Sequence, residues 1–187
     1  MTELPTPFDV LSFWWKAGYE KWYGGGKEFD DECRELFLPL VEAASRDDGT
    51  GGGFEDWEAT PHGALALIIV LDQLSRNLFR GSQRAFAQDA RARDIARKAI
   101  AAGFDTVFPA PARHFFYMPY MHSEDLADQD ICCDYFRGTG EKDGYYFALV
   151  HMDAIRRFGR FPHRNAVLGR TTTPEEHRYM DSGGFSA

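Results

Sequence analysis

A chain of 187 residues, 44% of them hydrophobic, is long enough to bury one sizeable core and reads as a single domain. Its net charge of -8 and pI near 5.2 exclude a general nucleic-acid binder, which needs a net basic surface against phosphates. No apolar run approaches the roughly 20 residues that cross a bilayer. The opening MTELPTPFDV lacks the basic-then-apolar order of a signal peptide, so a cytoplasmic location is expected. Cys33, Cys132 and Cys133 are odd in number and include an adjacent pair ill placed to bridge, which points to reduced core fillers and not to a disulfide framework.

Thr6 and Pro7 form a cap-plus-proline helix opening, followed by Phe8, Leu11, Phe13, Trp14 and Trp15 up to about Gly18. This aromatic-rich segment offers a surface for a homodimer. After the glycines at 24–26, an apolar stripe of Leu36, Phe37, Leu40, Val41 and Ala44 predicts one helix from about Asp30, kinked at Pro39. Residues 45–60, rich in Gly, Asp and Glu, read as a connection. The glycine run there is not a P-loop, since no Lys followed by Ser or Thr closes it. Thr60 and Pro61 repeat the opening, and the helix expected over 62–80 is apolar almost all round from Ala64 to Leu71, which makes it the most buried element.

Within that helix Asp72, Arg76 and Arg80 stand four residues apart, on one face, an acid ahead of two bases. They form either an internal ion-pair ladder or part of a binding site. A further amphipathic helix is expected over 85–102, then a connection, an aromatic segment disturbed by Pro119, and a helix to about Phe136 capped by Ser123, with Glu124 and Asp125 against its dipole. Tyr146, Phe147, Val150, His151, Ala154, Ile155 and Phe158 recur at three- and four-residue steps and define one more stripe, closed by Gly159. Thr173, Pro174 and Glu176 give a third opening with a capping box, and residues from Gly183 onward are expected to fray.

Residues 151–170, HMDAIRRFGRFPHRNAVLGR, hold five arginines and two histidines with one acid, Asp153, in a protein of net charge -8. Such a local reversal of charge calls for a partner, either the protein's own carboxylates or an outside anion. The helix ends before Pro162, which leaves the basic stretch on an ordered loop.

These elements add up to an all-α fold of antiparallel helical hairpins. The strings LDQLSRNLFRGS with AFAQDA, MPYMHSEDLADQD, and FGRFPHRNAVLGRTTTPEE resemble the bacterial domain of unknown function family 924, and the likeness runs over nearly the whole chain. The resemblance implies a helical fold similar to tetratricopeptide-repeat proteins and carries no reaction with it.

Three functional readings stay open. In the first, Asp72, Arg76, Arg80, Asp125, Arg160, Arg164, Asn165 and Arg170 meet on one concave face and hold an anionic small molecule or a peptide carboxylate, because the guanidinium fork donates two parallel hydrogen bonds. The second is an enzyme, a hydrolase or transferase on an anionic substrate, with His122, His151 and His163 as general acid and base and Glu124 or Asp125 orienting one of them. No HExxH, nucleophile elbow or nucleotide fingerprint selects a reaction, and neither a metal nor a cofactor is expected. In the third, the same cluster is a structural ion network in an interaction scaffold, with Asp72, Glu124 and Asp125 neutralising arginines.

Overall fold

The structure is a computed structural model that describes residues 3–46 and 53–185. Every regular element among the described residues is helical. The chain divides into two compact units, residues 1–109 and 110–187.

The first unit opens with α1 (Pro7–Gly24), where Thr6 and Asp9 cap each other's backbone as the cap-plus-proline signal predicts. At Gly18 the backbone leaves helical geometry (φ 78°, ψ 174°), so the first helical stretch stops there as expected and a second one follows across the kink to Gly24. Next, α2 (Gly26–Arg46) continues through Pro39 and buries Phe29, Cys33, Phe37, Leu40, Val41 and Ala44 along one stripe. The connection expected over 45–60 falls partly outside the described residues and includes a single turn, α3 (Glu55–Glu58).

The central rod spans 61–78. It starts as α4 (Pro61–Ile68), with Thr60 accepting from the Gly63 amide. It then widens into a π turn (Ile69–Leu74) and closes as α5 (Ser75–Leu78). A π turn admits one extra residue, which rotates the rest of the rod by about 100° on the helix axis. Two of its carbonyls accept from side chains: Ser75 Oγ donates to Val70 O at 3.3 Å, and Arg76 donates to Asp72 O. Every residue from Gly63 to Ser75 is buried, polar Asp72 and Gln73 included. Around the rod pack α1, α2 and α6 (Asp89–Ala101). The last of these starts later than expected because residues 83–85 form a separate 3-10 turn.

The second unit is a run of neighbours. α7 (His114–Met121) packs on α8 (Leu126–Thr139), and α8 on α9 (Lys142–Phe158). Asp125, not Ser123, caps α8, accepting from the Ala127 amide at 2.8 Å, while Ser123 Oγ donates to Asp128. On α9 the buried side carries Ala148, His151, Met152, Ala154 and Ile155, whereas Tyr146 and Phe147 stay 62% and 47% exposed. The apolar stripe read from spacing is thus turned away from its first two residues, and two alanines on the buried side allow close approach. Gly159, at φ 65°, ends α9. A 3-10 turn (Pro162–Arg164) and α10 (Pro174–Asp181), with its Thr173 and Glu176 capping box, complete the unit.

Candidate functional site

The polar side chains singled out in the sequence fall into the two units. In the first, Asp72 is fully buried in the π turn. Arg76 Nη1 lies 3.1 Å from its Oδ1, and the Gln73 amide donates to its carboxylate. The other end of the Arg76 guanidinium donates to Asp89 at 3.1 Å. Arg80 does not extend this ladder. It reaches across to α2, where Nε and Nη2 donate to the two Asp30 oxygens at 2.6 and 2.9 Å, beside Asn77 Nδ2 at 2.7 Å. Burial pulls the Asp30 carboxyl upward, but the hydrogen bonds from Arg80 and Asn77 outweigh it and hold the carboxyl below its ordinary value.

The second unit repeats the arrangement twice. Arg160 Nε and Nη2 donate to Glu176 Oε1 and Oε2 at 2.6 and 2.9 Å, and Asn165 Nδ2 donates to the same carboxylate at 3.1 Å. Glu176 also accepts from the Thr173 amide, so one side chain caps α10 and anchors the basic loop. Led by the Arg160 hydrogen bond, these contacts bring its pKa down to about 2. Arg170 Nη1 and Nη2 donate to Glu124 at 2.8 and 3.0 Å, and the Phe161 amide donates to Glu124 at 2.8 Å. Although burial raises the Glu124 carboxyl, these partners lower it overall. Arg160 and Arg170 therefore fix the loop to α10 and to the α7–α8 junction with forks filled from within the protein.

The imidazoles are arranged differently. His122 ends α7, His151 lies on α9 and His163 in the 3-10 turn; His151 and His163 pack on Phe161, which is completely buried, and His122 joins them through His151. Ring centres lie 6.2 Å apart for His122 and His151, 5.7 Å for His151 and Phe161, and 5.6 Å for Phe161 and His163. The buried Arg164 guanidinium sits 4.6 Å over the Phe161 ring. Phe185, where fraying is expected, packs its ring 3.9 Å from His151 and 5.1 Å from His163.

His151 Nδ1 lies 2.7 Å from the Phe147 carbonyl one turn earlier. A carbonyl only accepts, so Nδ1 carries the hydrogen and Nε2 of the neutral ring is an acceptor. Burial first, then the nearby His122, His163 and Arg164, depress His151 to about 3 against the pull of that carbonyl, so the ring is neutral at ordinary pH. Arg164 and Arg170 both act on the Glu124 carboxylate. Among the described residues, no group of three His, Cys, Asp or Glu side chains is arranged to hold a metal ion.

Asp125 serves as the α8 cap, and Asn165 braces Glu176. Sequence reasoning missed Asp30 as the partner of Arg80, and the two phenylalanines that organise the imidazoles. Asp30 gave one signal, its place beside Phe29 at the head of a buried stripe. Phe185 gave none.

A solved structure of a protein of unknown function from Agrobacterium tumefaciens, ATU0120, is similar to this chain at 38% identity, with a TM-score of 0.88, covering 95% of this chain and 97% of the other. No curated protein matches. Residues 10–184 match the family described as bacterial protein of unknown function (DUF924), and the chain belongs to that family.

Proposed function

We propose that the second unit binds an anionic small molecule or a peptide carboxylate at the cluster of His122, His163 and Arg164, beside the neutral ring of His151. The observation that carries this reading is the run of ring contacts from His122 to His151, Phe161 and His163, with imidazoles from three separate elements and a buried guanidinium on the Phe161 ring. The buried Arg164 guanidinium adds a positive charge beside the imidazoles. Of the arginines expected to hold the ligand, Arg76, Arg80, Arg160, Arg164 and Arg170, the reading keeps Arg164, and the pairing of the other four with carboxylates of the chain favours a supporting role for them.

Titration calorimetry with inorganic phosphate and with acetate tests the proposal. His163→Ala and His122→Ala each weaken binding about tenfold, as the loss of a charge-assisted hydrogen bond does, and Arg80→Ala in the first unit leaves it unchanged. Equal affinity in all four proteins contradicts the reading.

The enzyme reading gains less support. A group with a pKa of about 3 is a weak base near neutral pH, so His151 is poorly matched to proton transfer. Two coarser proposals go with the leading one. The succession of α7, α8 and α9, each packed on the next, supports a tetratricopeptide-like stack. Phe8, Tyr19 and Tyr23, exposed at 77%, 58% and 53%, keep the α1 surface as the proposed homodimer contact. Three buried free cysteines suit the reducing cytoplasm. Among the described residues no helix is long and apolar enough to cross a membrane.

A further inference from the structure

We infer that Phe185 occupies the aromatic half of this site as a displaceable internal ligand, and that the outside ligand which replaces it is an aromatic carboxylate. The inference rests on the anion-binding reading and names its ligand class.

The slot is built for a flat ring. Phe185 lies tilted by 42° against His151 at 3.9 Å, meets His163 edge-on at 5.1 Å and Phe161 edge-on at 5.9 Å. Aromatic groups pack favourably in such tilted and edge-on arrangements. Yet the segment that brings the ring there is anchored elsewhere. The backbone N–H groups of Gly183, Gly184 and Phe185 all donate to α10: to Met180 O at 3.2 Å, Tyr179 O at 2.9 Å and the Tyr179 hydroxyl at 3.0 Å. The ring makes no hydrogen bond of its own; it packs on its aromatic neighbours and on the edge of the cluster of Ala154, Ile155, Phe161 and Tyr179, and remains partly exposed. Gly183, at φ 83°, supplies a turn that other residues adopt at a cost.

Arg164 distinguishes the slot from a plain apolar pocket, because its guanidinium lies 4.6 Å from Phe161, one wall of the slot. A ligand that takes both features carries a ring to stand where Phe185 stands and a carboxylate for the guanidinium and the outer imidazoles. Acetate and phosphate supply only the second. Removing Phe185 opens the ring slot and leaves the charged half untouched. A gentler variant acts through the seat of the segment: a Cβ on Gly184 would meet Tyr179 O at 2.5 Å and the Tyr179 ring at 2.6 Å, so Gly184→Ala lifts the segment while Phe185 stays in the chain.

The test is calorimetry of the full chain with acetate and with phenylacetate, on the unaltered protein, Phe185→Ala and Gly184→Ala. The expected result is that phenylacetate binds more tightly than acetate, that Phe185→Ala tightens phenylacetate at least fivefold with acetate unchanged, and that Gly184→Ala shifts it the same way. If acetate binds and phenylacetate gains nothing over it in any of the three proteins, or if Phe185→Ala weakens phenylacetate, the inference is overturned and the anion site stands. If neither ligand binds any of the three proteins, both the inference and the anion site fall.

Discussion

The two units treat arginine alike and histidine differently. Arg80 on Asp30 in the first unit, and Arg160 on Glu176 and Arg170 on Glu124 in the second, are each gripped by both oxygens of one carboxylate. Three imidazoles of the second unit, His122, His151 and His163, instead join in a run of ring contacts through one buried phenylalanine. An arginine-rich stretch in an acidic chain therefore need not be where a ligand sits. A bidentate pair within the fold fixes a loop, and the loop then presents other groups.

Removing the acids perturbs this division of labour most strongly. Glu124→Ala leaves both the Arg170 fork and the buried Phe161 amide without their acceptor, and should cost about 3 kcal/mol of stability. Asp30→Ala strands Arg80, which is more exposed, and the buried Asn77 amide, and should cost about 2 kcal/mol. Urea unfolding checks both. Losses below about 0.5 kcal/mol would mean that these pairs are not staples of the fold.

Acid separates histidine from arginine further. The folded pKa of His151, about 3, lies below its ordinary 6.5, so the unfolded chain binds a proton that the folded one refuses. That contribution is complete above pH 6.5 and is lost as the pH falls toward 3, with a slope of up to about 1.4 kcal/mol per pH unit. Between about pH 6.5 and 5, the unaltered protein should therefore lose about 1 to 2 kcal/mol more than His151→Gln. The remaining slope in the variant comes from His114, lowered chiefly by burial. Glu176 and Glu124 act in the same direction only below their ordinary 4.5. Identical pH profiles for the two proteins would remove His151 as a buried neutral ring. The smallest effect is local: Thr173→Ala breaks the α10 capping box and should cost about 1 kcal/mol, read by the same unfolding experiment.

Much of the fold was legible because it is written in local signals. The three Thr-Pro openings at Thr6, Thr60 and Thr173 all cap helices, and Gly159 ends one, since caps depend on neighbours a turn away. The π turn was not legible. Periodicity assumes a constant turn throughout, and the helix stops at Leu78, so Arg76 keeps its step to Asp72 whereas Arg80 lies beyond the helix and reaches Asp30. The candidate site was legible as residue types. His122, His151, His163 and Arg164 do come together, whereas the roles of Arg160 and Arg170 depended on Glu176 and Glu124, 16 and 46 residues away in sequence. Pairings at such distances leave no periodic trace. Glu176 was visible as a capping-box residue but not as the partner of Arg160, because one carboxylate performs both tasks.

Imidazole NMR of the histidine-labelled chain during titration with inorganic phosphate puts the anion site itself to the test. Saturable shifts are expected at His122 and His163, together with a His151 ring that stays in its Nδ1-protonated neutral form and no shift at His62 in the first unit. Unmoved His122 and His163 resonances at saturating phosphate, or a response confined to His62, would contradict an anion site built on the imidazoles of the second unit.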